Sequence, residues 1–240
     1  RRFIKTAFTQ YLSPSVINQL LQNPENLKLG GERRRISIFF SDIENFTSIS
    51  EPLQPEQLTD LLNKYLSELS KIILKNGGTI DKYEGDAIIA FWNAPLDTEN
   101  HERKAIETAI ECQKRLKELN SEFVKIAGRP LATRIGINTG DAVVGNMGSS
   151  KRFDYTAFGD SVNLASRLEG LNKDFGTYIL CTKETALYAK QQGSPLKFRK
   201  IAYAKVLGKD KAVPVYSPTT KEDFENAFNY LEKAWDEGGE

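Results

Sequence analysis

Hydrophobic positions along the chain follow two periods in turn. Residues 34–43, RRISIFFSDI, carry an unbroken β-branched and aromatic run, which predicts a buried strand. From 55 to 76, Leu58, Leu61, Leu62, Tyr65, Leu66, Leu69, Ile72 and Ile73 recur at helical spacing, and Asn76-Gly77-Gly78 stops the pattern. Thr79–Tyr83 and Ala87–Trp92 then read as strands around the tripeptide Glu84-Gly85-Asp86, a hairpin. A second long helix is predicted from about Glu102 to Ala127. LATRIGINTGDAVVGNMG reads as two strands joined near Gly140-Asp141. A strand over roughly Phe153–Phe158, the helix SVNLASRLEGLN, and short strands with one helix over 178–217 complete the pattern.

Strand, helix, two strands, helix, strand is the ferredoxin-like βαββαβ order. It predicts an α+β fold whose antiparallel sheet has helices packed on one face. Residues 1–32 hold two helix-like pieces, the second restarted by Ser13-Pro14, and read as a leader from an upstream module. The core domain is expected over 33–217 and a helical tail over 218–240. A start at Arg1 rather than Met leads to the expectation of a fragment of a larger protein. The length of 240 residues and 40% hydrophobic content suit one large domain with appendages.

Charge and cysteines exclude several function classes. Thirty-three Lys+Arg against 32 Asp+Glu give a net charge of +1, so nothing calls for a nucleic acid partner. Cys112 and Cys181 lie far apart in apolar segments with no CxxC, which suggests buried thiols in a reducing cytoplasm rather than a disulfide or zinc site. No apolar run is long enough for a membrane span, so no membrane contact is expected within this stretch, although it could be the cytosolic part of a membrane-attached protein.

A few polar residues stand where packing does not ask for them. Asp42 ends an apolar strand and Asp86 sits at the hairpin tip, so the fold could bring them together. Two carboxylates with no His or Cys nearby suit Mg²⁺ or Mn²⁺, although each Asp alone reads as an ordinary turn residue. The turn Glu44-Asn45-Phe46-Thr47 opens a helix, whose free N–H groups can bind phosphate or simply be capped. Asn163 and Arg167, spaced i,i+4, share one helix face. They suit a developing phosphoryl charge, and as a surface pair they would need no role. Lys82 reads by default as a surface lysine, Lys209 as either a loop lysine or a phosphate clamp, and Thr156 as a strand threonine. Arg134, between apolar strand residues, needs a partner if buried. His101 is given no catalytic role. No GxxxxGK[ST] loop or GxGxxG occurs.

Four stretches in order, FFSDIENFT, KYEGDAIIAFW, TRIGINTGDAVVGNMGS and YTAFGDSVNLASRLEG, resemble the class III nucleotidyl cyclase catalytic domain of bacterial adenylyl cyclase type, over about residues 33–217. The resemblance implies a head-to-tail homodimer with sites shared across its interface. It implies conversion of ATP to 3′,5′-cyclic AMP and pyrophosphate, by in-line attack of the ribose 3′-oxygen on the α-phosphate. Two Mg²⁺ or Mn²⁺ ions would be held by Asp42, Asp86 and the Ile43 carbonyl. Backbone at Asn45, Phe46 and Thr47 would cradle the β- and γ-phosphates, and Arg134 and Lys209 would contact the triphosphate. Asn163 would orient the ribose and Arg167 would stabilise charge at the α-phosphate. Lys82 and Thr156 match the base-reading pair. Lysine can donate to adenine N1, and threonine can accept from the adenine amino group. The rival readings are a guanylyl cyclase, which Lys82 disfavours, a diguanylate cyclase, whose GGDEF-like hairpin is absent, and a non-catalytic cyclase-like dimerisation domain.

Overall fold

The computed structural model describes residues 17, 21–22, 29–205 and 212–219. Apart from residues 17 and 21–22, the expected leader up to residue 28 lies outside that range, as do Lys209 and the expected tail helix from Lys221. The elements are β1 (Gly30–Ile43), α1 (Phe46–Ser50), α2 (Pro55–Lys75), β2 (Thr79–Glu84), β3 (Ala87–Trp92), α3 (His101–Ala127), β4 (Thr133–Ser149), β5 (Arg152–Phe158), α4 (Asp160–Phe175), β6 (Ile179–Thr182), α5 (Lys183–Gln191), β7 (Lys197–Ala204) and β8 (Val213–Thr219). The sheet thus takes in Gly30, Gly31 and Glu32 from the stretch read as leader, and runs two residues past 217.

The strand order is β2-β3-β1-β4-β6-β8-β7, with β5 paired to β4. Its first four strands are the predicted βαββαβ core, antiparallel throughout. Beyond them β6 runs parallel to β4, so the whole sheet is mixed, not antiparallel. Every residue of β1 pairs with β4, from Gly30 opposite Asn146 to Ile43 opposite Thr133.

Two expectations are corrected. The stretch read as two strands broken at Gly140-Asp141 is one strand of 17 residues. Gly140 makes no turn there: it faces α4, and a Cβ on it would lie 2.4 Å from Ser161 Oγ. Gly136 is closer still, its added Cβ falling 2.2 Å from the Glu169 backbone nitrogen. These glycines let a helix approach the strand. The helices also occupy both faces of the sheet, not one. Phe39 and Ile43 of β1 pack with Leu61, Tyr65, Leu69, Ala105 and Ile106 of α2 and α3. The alternate residues Ile36 and Ile38 pack with Ala165 of α4. The sequence pattern missed this because α4 follows the fourth core strand.

The β4–β5 hairpin lies over the α4 face. Ala142, Val144 and Ala157 join Ile36 and Ile38 in that cluster, and the Tyr155 ring sits 6.2 Å from that of Phe91. On the opposite edge β2 carries a bulge: Ile80 pairs with Ala90 and Lys82 with Ile89, leaving Asp81 as the extra residue. The bulge breaks the alternation of faces. Ile80 packs on the α2–α3 cluster, and the Tyr83 hydroxyl lies 2.8 Å from Ser70 Oγ of α2. Asp81 is turned the other way. Both cysteines are buried and unpaired, as expected. His101 opens α3, buried, with Nδ1 2.8 Å from Ser37 Oγ, and burial lowers its pKa.

Gly136→Ala is expected to destabilise the chain by about 1–3 kcal/mol, because the clash is with backbone that cannot rotate away. Gly170→Ala, in the interior of α4 with nothing within 4 Å of its added Cβ, is expected to stabilise it by roughly 0.5–1 kcal/mol. Urea unfolding of both variants checks the pair.

Candidate active site

Asp42 is the penultimate residue of β1, and Asp86 closes the β2–β3 turn behind Gly85, whose φ of 62° suits glycine. Because β3 pairs with β1, the hairpin tip comes to the end of β1, and the Ile43 N–H donates to Asp86 Oδ2 at 2.8 Å. The Asp42 carbonyl is held by the Thr133 hydroxyl at 2.9 Å. Burial pushes the Asp42 carboxyl up to about 7, and the neighbouring Asp86 carboxyl adds to the effect, as does Glu169 more weakly; Arg134 opposes them. Glu169 of α4 is itself raised by burial, with Asp86 contributing.

Burial and mutual repulsion therefore both disfavour ionised carboxylates at this end of the sheet, and Arg134 opposes them only in part. Arg134 pairs across the ladder with Asp42, yet its guanidinium binds Glu44, Nη2 to Oε1 at 2.6 Å. Glu44 also accepts from the Tyr178 hydroxyl at 3.2 Å. All donors here are oxygens. Among the described residues no three His, Cys, Asp or Glu side chains gather into a ready-made metal cage. Two close carboxylates and the Ile43 carbonyl at the strand end fit a hard divalent ion that fills its remaining positions with water and phosphate. Next to them, Asn45 adopts the left-handed conformation, φ 56°, and starts α1. The first turn of that helix, Phe46 and Thr47 included, leaves N–H groups without intrahelical partners.

Lys82 and Thr156 come together elsewhere, through a residue the sequence reading passed over. The Thr156 hydroxyl donates to Asp81 Oδ2 at 2.6 Å, and Lys82 Nζ lies 3.7 Å from Asp81 Oδ1. Lys82 thus pairs with Asp81, not with Asp86 at the tip of its own hairpin. The available signal was the adjacent charges Asp81-Lys82 inside a strand pattern, which regular alternation cannot place on one face.

Asn163 and Arg167 project from α4, both exposed, and their side chains make no hydrogen bond or ion pair among the described residues. The cation acting on Asp42 is Arg134. The described residues therefore assemble two groups, the Asp42–Asp86 end and the Lys82–Asp81–Thr156 set, and among them Asn163 and Arg167 are left unengaged.

The model of the adenylate and guanylate cyclase catalytic domain matches residues 31–216. Adenylate cyclase 1 of Rhizobium meliloti is 40% identical over 185 residues, which cover 77% of this chain and 27% of that protein. The chain spans about a quarter of that relative's length. The crystal structure of the adenylyl cyclase CyaB from P. aeruginosa is similar with a TM-score of 0.73 and 39% identity, over 80% of this chain and 97% of that one. The crystal structure of the guanylyl cyclase Cya2 gives 0.70 and 34%, over 80% and 95%.

The raised Asp42 pKa has a definite sign for stability. The carboxyl ionises near 3.8 when unfolded and near 7 when folded, so its contribution is fully present below 3.8 and is lost as pH rises through 7. In EDTA at pH 8, Asp42→Asn is expected to unfold at a higher temperature than the parent, by about 2–4 °C for each kcal/mol regained. The difference should close toward pH 4. Mg²⁺ should raise the melting temperature of the parent and not that of the variant. Calorimetry across that pH range checks all three.

Proposed function

The chain belongs to the adenylate and guanylate cyclase catalytic domain family, and we propose on that footing that it converts ATP to 3′,5′-cyclic AMP and pyrophosphate. The observation that carries this reading is the convergence of Asp42 and Asp86, two like charges held together at the end of β1. Such a pair is costly in a folded chain unless a cation joins it. The family uses divalent metal ions. Two Mg²⁺ or Mn²⁺ ions, held by Asp42, Asp86 and the Ile43 carbonyl, would lower the pKa of the ribose 3′-hydroxyl and offset charge at the α-phosphate. The β1 ladder holds Asp42, and the β2–β3 turn holds Asp86. The N–H groups at Asn45, Phe46 and Thr47 would receive the β- and γ-phosphates. Arg134 would add positive charge to the triphosphate while it stays anchored by Glu44. Lys209, outside the described residues, keeps its proposed triphosphate contact on the resemblance alone.

Asn163 and Arg167 supply ribose orientation and transition-state charge in this reading. Their lack of engagement among the described residues supports a site completed by a second copy: one protomer gives Asp42 and Asp86, its partner gives Lys82, Thr156, Asn163 and Arg167. The catalytic unit, read as 33–217, would then work as a head-to-tail homodimer under a regulatory module elsewhere in the protein. No helix among the described residues is long and apolar enough to cross a membrane. We place the reaction in the cytoplasm, where ATP is found.

Cya2 shows that this fold alone does not choose the nucleotide. Preference for ATP rests on Lys82 and Thr156. Purified chain given ATP or GTP with Mg²⁺ or Mn²⁺ is expected to release cyclic AMP and pyrophosphate, with little cyclic GMP. Cyclic GMP as the main product would overturn the base assignment, and no product from folded dimer would overturn the activity.

Shared sites make a separate prediction. Asp86→Ala and Arg167→Ala chains should each lose about a hundredfold or more in kcat. Mixed, they should recover activity, since one of the two sites in the heterodimer carries no mutation. No recovery in confirmed heterodimers would sink the shared-site arrangement.

A further inference from the structure

A carboxylate stands between the two residues assigned to the base. Asp81 belongs to β2 and Thr156 to β5, strands that are not neighbours in the sheet. The bulge at Asp81 makes the meeting possible by turning its side chain away from the α2–α3 face. Its side chain is only 3% exposed, against 43% for Lys82. Oδ2 receives the Thr156 hydroxyl at 2.6 Å and the Ala157 N–H at 3.3 Å. An oxygen that takes two donors has no hydrogen to give, so the Thr156 proton points at Asp81. Oδ1 is buried with no hydrogen bond, its nearest charge being Lys82 Nζ at 3.7 Å.

We propose that Asp81 is a specificity-determining positioning residue, which fixes the polarity of the base-reading pair by holding the Thr156 proton and tethering the Lys82 ammonium beside it. The inference rests on the cyclase reading of Lys82 and Thr156. A threonine hydroxyl by itself can donate or accept. With its proton committed to Asp81, only its lone pairs remain for a ligand. Lys82 can only donate. The pair then offers one acceptor and one donor. Adenine presents the matching edge, an amino donor beside the N1 acceptor. Guanine presents the reverse, a carbonyl acceptor beside N1–H, and would set lone pair against lone pair and proton against proton. A site with fixed polar groups rejects such a mismatch strongly, because the groups covered by the bound base are left unpaired. If Asp81 only tied β2 to β5, its loss would harm both nucleotides alike.

The test is the ratio of kcat/KM for ATP over GTP in Asp81→Ala and in the nearly isosteric Asp81→Asn, with folding checked by circular dichroism. Alanine frees the Thr156 hydroxyl to donate and releases Lys82, so the ratio should fall about tenfold or more, through both weaker ATP use and stronger GTP use. Asparagine removes the charge that tethers Lys82 and should lower the ratio in the same direction, by less. In a Thr156→Val background, Asp81→Ala should shift the ratio much less than it does alone, since no hydroxyl remains to orient. A parental ratio in either folded variant, with both nucleotides falling in parallel, would overturn the inference. Parent chain that makes no cyclic AMP would instead overturn the proposed activity. The polarity of the pair would then be read by competition of ATP and GTP for a fluorescent nucleotide on the same variants, with the same two outcomes.

Discussion

The pairing of β1 with β4 is the constraint on which the rest depends. Fourteen consecutive residues of β1 find partners on β4, and the register sets Asp42 opposite Arg134 at one end. A slip of one residue would move Phe39 and Ile43 to the α4 face and Ile36 and Ile38 to the α2–α3 face, and would carry Asp42 off its end of the sheet. The hairpin reaches Asp42 only because β3 holds the other side of β1. The α4 helix reaches it only because Gly136 and Gly140 let it settle against β4. Position at the site is thus a by-product of ladder register and helix clearance.

The same end of the sheet is where the fold is least at ease. Asp42 and Asp86 meet there, Glu169 of α4 adds a weaker repulsion, and the nearby Arg134 is already committed to Glu44. The electrostatic cost is local, and the apolar clusters on both faces of the sheet offset it. Functional groups commonly sit where a fold accepts strain of this kind.

Much of this was legible from the sequence, for physical reasons. Strands and helices declared themselves by period, because a half-buried strand and an amphipathic helix must each put apolar residues on one side. Asp42 and Asp86 stood out as charges at the ends of apolar runs, and the structure brings them together. The length of β4 was not legible. Gly140-Asp141 has turn composition, and the reason for the glycine is a helix some twenty residues later. Arg134 was seen to need a partner, but Glu44 is ninety residues away. Asp81 was missed because a charge in an edge strand reads as solvent-facing; only the bulge, a property of pairing, turns it inward.

The Thr156–Asp81 hydrogen bond bears on how such a site could change allegiance over evolutionary time. Base preference is usually pictured as resting on single letters, one substitution apart. In the proposed site the acceptor would be built from two residues on two strands, Thr156 and Asp81, and the donor Lys82 would be held by one of them. A change at Lys82 alone would leave the acceptor standing and produce a reader complementary to neither purine. A change at Asp81 alone would blur both halves at once. On this reading the shortest route from one nucleotide to the other passes through an indiscriminate ancestor, with Asp81 the position at which that route opens.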